Sequence, residues 1–498
     1  MSRHLSILIE EELRRQIEER FGAFPSIRSQ IQLQKCSLLT EIAEFVDNQF
    51  HAAADRTAQH YRIDPMLLRR ALRDKRFVSR VKQVVLQFAL TEPLCSQLRI
   101  IPAEVPDTDE SSGLYKFPVP LLPTHAIVVE QLGFVTNEVF PLMVDSYVHD
   151  LGSHRRVYRN VCCAHVEWLD DDFQATRGIF YRPDQDELIE KDFSNPLPLH
   201  SVHFLCLSQT THHIYSERAD EKHLFQVNPY PESAQADNKF FCYQKWKAAG
   251  VSTPEAALIQ QNAEIEEDLL TTEIRHALNT ILQLDISPDS HRFFLQPNHG
   301  TEARGVRAFT LSLAPDISLP PELLLHARSI LEYDDLLIRP EVGNVLFCEN
   351  AQEPGTHFDI RLNVVHGKVE SGYLMLAKPG EIITAPGQHG RVLELRDADE
   401  WTLRSGDKDL RLKIGSSSWQ KIEETAEQAA AAFPNILMTG VDIRLDWTPD
   451  RQQWTSWILD LNPRPAGLTH SRLLNTFEPG VTLRLWHKLD TIQGEPAG

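Results

Sequence analysis

The chain has 498 residues and a formal net charge of −20, which argues against a protein whose main task is binding nucleic acid or anionic membrane. The length exceeds one ordinary hydrophobic core, so two to four domains are expected. A hydrophobic share of 42% and a charged share of 24% are those of a soluble globular protein, and no apolar run reaches the roughly 18 residues of a membrane-spanning helix.

The opening MSRHLSILIEEELRRQ turns acidic at once and lacks the long apolar core of a secretory signal. Seven scattered cysteines include no CxxC pair, so a reducing cytoplasm with free thiols is expected. Residues 1–105 read as helical, because LLTEIAEFVDNQFHAAA and PMLLRRALRDKRFVSRVKQVVLQFAL space their apolar residues three and four apart. RTAQHYRIDPMLLRRAL has a loose helix-turn-helix outline, and seven basic residues against one Asp follow between Arg69 and Lys82. A solvated basic helix face has the same appearance.

PAEVPDTDESSG, at 102–113, has the composition of a linker. Beyond it, HAIVVEQ and SVHFLCLS alternate with helical and loop stretches, as in an α/β domain spanning 106–227. The remainder reads as α+β. Helices are expected at 238–249, 321–332 and 417–433. Strands are expected near 256 and 293, at 336–342, 358–365 and 368–376, and in a final hairpin at 437–461. No P-loop, dinucleotide-binding glycine turn or HExxH helix is present.

Four separated pieces carry the chemistry. In DNKFFCYQKWKAAGVSTPEA, Asp237 and Asn238 suit a helix N-cap and Gly250 a C-cap. Lys239 falls in the first turn, where a cation is disfavoured unless an anion lies near; a phosphate could be that anion. In RFFLQPNHGTEARGVRAF a strand ends at Pro297, and Gly300 and Gly305 mark a loop whose backbone could approach phosphate oxygens. Ordinary hairpin turn chemistry would also place glycines there. The third piece joins LLIRPEVG to FDIRLNVV, whose alternation puts Asp359, Arg361 and Asn363 on one face.

The fourth piece is TGVDIRLDWTPDRQQWTSWILDLNPRPAG. With its turn near Arg451, Asp442 lies across from Asp460, and Asn462 shares that face. Two carboxylates so close repel each other unless a cation lies between them or one is protonated. Their oxygens and the Asn amide suit a hard divalent cation. A strand end capped by Asx residues before a proline remains the plain alternative.

In this order, over roughly residues 228–475, the pieces resemble the ATP-grasp superfamily. The resemblance implies two α+β subdomains sandwiching ATP, one at 228–311 and the other at 312–490, preceded by the α/β domain and the N-terminal helical region. It implies that Lys239, Gln296, Gly300 and Gly305 contact the nucleotide. A hinge strand from Leu336 to Val342, with Ile338, Arg339, Glu341 and Val342, would meet the adenine. Asp442, Asp460 and Asn462 match the Mg2+ ligands (Mn2+ serving as substitute), with Asp where Glu is commoner at 460. Arg361 and Arg464 match positions that touch phosphate or acyl-phosphate.

The resemblance implies a carboxylate–amine ligase that uses ATP and Mg2+ and acts on small-molecule carboxylate and amine substrates. The amphipathic spacing of the N-terminal helices suits a dimer interface, so a homo-oligomer, a dimer, is expected. Neither membrane nor nucleic acid is an expected partner. The chain departs from the family pattern at Gln296, where a lysine commonly precedes the proline; Arg292 or Arg304 could compensate. His357 and His470 are candidate bases for the amine. A small-molecule kinase of the same fold remains open. So does a ligand-sensing protein with an N-terminal interaction or DNA-binding module.

Overall fold

The computed structural model describes residues 38–60, 65–73, 122–130, 159–182, 187–205, 208–282, 292–300, 303–311, 319–349, 354–385, 390–395 and 400–464, with isolated residues at 9–16, 63, 77–82, 139–146 and 485–489. Near the N-terminus, helices α1 (Leu38–His60) and α2 (Pro65–Arg73) meet the helical expectation. Val46, Phe50, Ala53 and Ala54 of α1 pack with Leu68 of α2, Ile9 and Leu13. That spacing of three and four is what makes one helix face apolar. Arg69 and Arg73 are exposed on α2, as a solvated basic face would be.

The chain divides into two units, Met1–Ser208 with Arg218–Phe225, and Gln209–Glu217 with Gln226–Gly498. The first holds strands β1 (Thr124–Val129), β2 (Asn160–His165), β3 (Ala175–Arg182), β4 (Glu187–Leu197) and β5 (Ser201–Phe204). Their sheet runs β4-β3-β2-β1-β5-β6, where β6 (Phe225–Val227) follows helix α3 (Gln209–Glu221) and carries the chain into the second unit. Strand β1 pairs in parallel with β2 and β5. Every residue of β1 is buried, the pattern expected of a parallel strand covered on both faces.

In the second unit, α4 (Tyr230–Asp237) and α5 (Lys239–Ala248) lead to β7 (Ala257–Ile259), α6 (Glu267–Leu282), β8 (Arg292–Pro297), β9 (Arg307–Thr310), α7 (Pro321–Leu331) and β10 (Leu336–Pro340). The strands form a sheet of order β7-β10-β8-β9. Ile274, Leu278, Leu323, Ala327 and Ile330 of the two helices pack with its Phe293, Leu295, Leu336 and Ile338. Strand β10 and helix α7 therefore belong with this sheet, although both lie beyond residue 312.

Next come β11 (Val345–Cys348), β12 (Phe358–Val365), β13 (Lys368–Leu376), β14 (Arg391–Glu394), β15 (Glu400–Ser405), β16 (Lys408–Lys413), α8 (Ser417–Ala431), β17 (Met438–Thr448) and β18 (Gln453–Asn462). A five-stranded sheet runs β14-β13-β12-β17-β18, beside a three-stranded sheet β11-β15-β16. Helix α8 buries Trp419, Ile422, Ala426 and Ala429 in a core shared with Ile360, Leu362, Leu374, Val441, Ile443 and Ile458. The fold class expected from the sequence is the one found: an α/β sheet, then two α+β parts, with helices at the N-terminus.

The second face of the five-stranded sheet is polar, and register fixes which residues share it. Tyr373 lies opposite Arg361, Arg361 opposite Asp442, and Asp442 opposite Asp460. The adjacent row is Ser371, Asn363, Gly440 and Asn462. Directly opposed residues point to the same side, so four strands contribute one continuous polar surface.

Two glycines make room on this face. A Cβ on Gly440 would stand 3.3 Å from Cδ of Arg361. Gly343 has φ +91° and would put a Cβ 2.1 Å from Cγ of Arg444. Gly343→Ala is therefore expected to cost about 2–3 kcal/mol, combining an L-residue in a left-handed conformation with a backbone-to-side-chain clash. Urea unfolding measures it; a loss under about 0.5 kcal/mol would show that Arg444 yields easily.

Candidate functional site

The site is built where helix α5 meets the end of the terminal hairpin. Asn238 caps α5, its side chain accepting from the Phe241 N–H at 2.8 Å. Asn298, just after β8, takes two more of the helix's first N–H groups. Its backbone oxygen accepts from Lys239 N at 3.1 Å and its Oδ1 from Phe240 N at 2.9 Å. Gly250 ends the helix with φ +72°, the left-handed C′ residue the sequence leads one to expect. The start of α5 is thus capped by asparagines rather than open to an anion.

Lys239 projects from this capped turn. Its ammonium donates to the Gly300 carbonyl at 2.8 Å and stands 3.2 Å from Asp460 Oδ2. The anion that offsets the unfavourable helix-dipole position of Lys239 is therefore a protein carboxylate. Gly300 contributes its carbonyl to the site. Gly305 has φ +74° and is packed against Pro297 and Tyr333, where a Cβ would meet both at 2.9 Å. It is needed by the turn itself.

Across the polar face, Arg361 grips Asp442 with both arms, Nε to Oδ1 and Nη2 to Oδ2, each at 2.6 Å. Its Nη1 is 3.4 Å from the Tyr373 hydroxyl. Burial pushes the Asp442 carboxyl up from its ordinary range, with Arg361 pulling the other way. The Arg361 guanidinium is held well above its usual value by Asp442 despite its burial. Asn462 turns its amide nitrogen toward Gly440 O at 3.4 Å and Asp442 Oδ2 at 3.5 Å. Its amide oxygen can accept a hydrogen bond or offer a lone pair to a cation.

Lys239, Arg361, Asp442, Asp460 and Asn462 are thus brought together. Asp442, Asp460 and Asn462 offer only hard oxygen donors, the set that Mg2+ prefers. A small number of protein ligands suits an ion that also takes phosphate and water oxygens. Among the described residues no group of three His, Cys, Asp or Glu side chains could hold a metal. A three-ligand oxygen set on this face would have to add the Asn462 amide oxygen to the carboxylates of Asp442 and Asp460.

The other expected site residues have their own surroundings. Ile338 is fully buried in the hydrophobic core of the four-stranded sheet. Strand β10 is paired on both sides, with β7 and β8, so its backbone from Leu336 to Ile338 is committed to the ladder. The segment after Pro340, with Glu341 and Val342, lies beyond the strand. Glu341 there donates its N–H to Arg292 O at 2.8 Å and pairs its carboxylate with Arg292 at 3.2 Å.

Arg339 is 5% exposed and turns toward α5 and β18. It donates to Leu459 O at 2.6 Å and Lys239 O at 3.1 Å. Burial draws its guanidinium down from its ordinary value and Asp460 pushes it back up. Arg464 pairs with Asp237 and has His212 Nδ1 at 3.4 Å. Gln296 is buried opposite Leu337. Arg292 lies four residues back along β8, about 13 Å away at strand rise, and is paired with Glu341; it does not take the place of a lysine at 296.

His357 is pushed down to about 4 by burial, then by Arg444 and Arg292, so it is a poor proton acceptor near neutral pH. His470 lies outside the described residues. Asp359, expected on the polar face, has a partner the sequence did not single out, Arg444, in a buried pair at 2.6 and 3.0 Å to which Thr384 also donates. The signal for Arg444 was present: it stands two residues after Asp442 on a strand, and so on the same face.

No family model and no curated protein matches the chain. Among solved structures it is similar to D-cycloserine synthetase DcsG, with TM-score 0.44 and 14% identity over 74% of this chain and 99% of that one. It is also similar to VanG D-Ala:D-Ser ligase from Enterococcus faecalis, with TM-score 0.43 and 12% identity over 75% of this chain and 99% of that one. A third similar structure is ATP-grasp ligase PsnB complexed with a phosphomimetic variant of minimal precursor, Mg and ADP. There the TM-score is 0.39 and the identity 13%, over 74% of this chain and 99% of that one.

Proposed function

We propose that this protein is an ATP-grasp enzyme, a carboxylate–amine ligase that activates a carboxylate with ATP and lets an amine displace the phosphate. The observation that carries this reading is the row of opposed residues Arg361, Asp442 and Asp460, met by Lys239 from α5. Anionic oxygens for a divalent cation and cationic groups for phosphates lie side by side on one sheet face. Such a surface serves phosphoryl transfer, where catalysis is positioning plus charge neutralisation. Mg2+ held by these oxygens would supply neutralisation of the phosphate charge.

The chain's own residues would do the following. Lys239 steadies the phosphates from the α5 side. Asp460 and Asn462 hold the cation against the end of β18, and Asp442 does so from β17. Arg361 keeps Asp442 ionised and oriented and presents positive charge beside it. Arg464, paired with Asp237 two residues before Lys239, would meet a carboxylate or the transferred phosphoryl group. The amine would lose its proton to a group other than His357.

The test is release of ADP and phosphate from the full chain with Mg-ATP, across pairs of carboxylic acids and amines. The expected result is ATP consumption that requires both partners, yielding equal amounts of ADP and phosphate. ADP formed without phosphate would point to a kinase instead. Tight ATP binding with no turnover across the panel would favour a sensing role.

A further inference from the structure

We propose that Arg339 is a positioning residue: from the four-stranded sheet it grips the backbone carbonyls of Lys239 and Leu459, and so sets the spacing between Lys239 and Asp460. This rests on the function proposed above, and concerns a residue that the family resemblance assigns to the adenine hinge.

The local register of the hairpin explains why a grip is needed. Asp442 pairs with Asp460, but the next residue, Ile443, pairs with Ile458. Leu459 is therefore the extra residue of a β-bulge, opposed by nothing on β17. A bulge re-aims the side chains around it and interrupts the ladder locally. Leu459 and Asp460 come to lie on the same side, both partly exposed, while Ile458 and Leu461 are buried. The price is that the Leu459 carbonyl leaves the ladder and must find another donor. Arg339 supplies it at 2.6 Å. The other flank is fixed by Ile458 N donating to Ser252 O at 2.9 Å and by Thr253 Oγ1 donating to Ile458 O at 3.0 Å.

The second arm of the same guanidinium takes the carbonyl of Lys239 at 3.1 Å. One rigid, planar group therefore fixes the main chain at Lys239 itself and at the residue preceding Asp460. These are the two residues whose side chains stand 3.2 Å apart in the site. A buried arginine held by two neutral carbonyls is an expensive way to stabilise a fold, since burying a charge without a contacting counter-ion is costly. A hydrophobic residue would suit a strand otherwise made of Leu336, Leu337, Ile338 and Pro340, all buried. What arginine adds there is geometry: a fork that spans two acceptors, which a lysine ammonium on a flexible stem reproduces only in part.

The experiment uses the full chain as Arg339→Met, Arg339→Lys and Arg339→Gln, with Mn2+ and a non-hydrolysable ATP analogue as probes. Mn2+ uptake in the presence of the analogue is followed by electron paramagnetic resonance, analogue binding without metal by calorimetry, and folding by thermal melts. Arg339→Met is expected to raise the Mn2+ concentration for half-saturation tenfold or more, while metal-free analogue binding changes less than threefold. Arg339→Lys should recover part of the loss. If Arg339→Met does not fold, Arg339→Lys and Arg339→Gln carry the same comparison.

Variants that take up Mn2+ within twofold of wild type, whatever their melting temperatures, would overturn the assignment and leave Arg339 a packing residue. A wild-type protein that takes up no Mn2+ with the analogue would instead overturn the proposed function, and this assignment with it. The two failures are distinct, because the first needs a wild type that binds.

Discussion

Asp460→Asn is expected to lower ATP turnover by about a thousandfold or more while leaving the fold in place. The substitution keeps the size and shape of the side chain and removes one anionic oxygen donor. It also removes the acceptor that faces Lys239 at 3.2 Å. Stability should change little, because the Asp460 side chain is 24% exposed and a partly solvated pair of this kind contributes on the order of 1 kcal/mol or less. Turnover should change a great deal. The lysine and any bound cation would no longer be separated by a fixed negative charge, and the phosphates would lose a defined seat. ADP formation under saturating Mg-ATP, with a thermal melt alongside, separates the two effects. Retention of a tenth of wild-type turnover by a well-folded variant would remove Asp460 from the machinery.

The arrangement around Asp460 also shows which parts of the site could be read from sequence. Two-residue spacing on a strand was enough to put Asp460 and Asn462 on one face, and a hairpin turn near Arg451 was enough to bring Asp442 opposite. The register observed is Asp442 with Asp460 and Gly440 with Asn462. The alternation of FDIRLNVV likewise placed Arg361 on a polar face. These inferences succeed because a strand's period is two and its pleat leaves no choice of side.

The β-bulge at Leu459 was not legible, because one extra residue in a ladder leaves no mark in local composition. The side-chain partners of Arg339 were hidden for a related reason. Nothing in LLIRP says that its arginine reaches back to α5 and β18, because both acceptors are main-chain carbonyls. Main-chain carbonyls carry no residue identity. The role of Asn298 was hidden in the same way: it serves the first turn of α5 through one backbone and one side-chain oxygen, from 59 residues away in sequence for the Lys239 bond. Short-range chemistry in this chain is written in residue spacing. The Arg339 and Asn298 bonds each have a backbone atom at one end, and only the folded chain displays them.

Arg361→Met should destabilise the protein by about 3–5 kcal/mol, since it leaves Asp442 buried without its charge partner. The side chains of the pair are 14% and 13% exposed, so solvent can repay little of the loss. The double variant Arg361→Met, Asp442→Asn should recover most of that stability, because it removes the stranded charge along with its partner. It should not recover turnover, which needs the carboxylate.

A pH series distinguishes this electrostatic account from simple loss of packing. In the single variant the burial that raises the Asp442 carboxyl acts with less opposition. A carboxyl raised in the folded state above its unfolded value favours folding when protonated, and that contribution is lost as pH rises through the folded value. The deficit of Arg361→Met relative to wild type should therefore be largest near pH 7. It should narrow as the pH is lowered toward 3.8, the ordinary value for this carboxyl. Urea unfolding of wild type, single and double variants at several pH values measures it. A deficit that is flat with pH and persists in the double variant would mean that Arg361 stabilises through its aliphatic stem and the Tyr373 contact, and that its charge is available for phosphate alone.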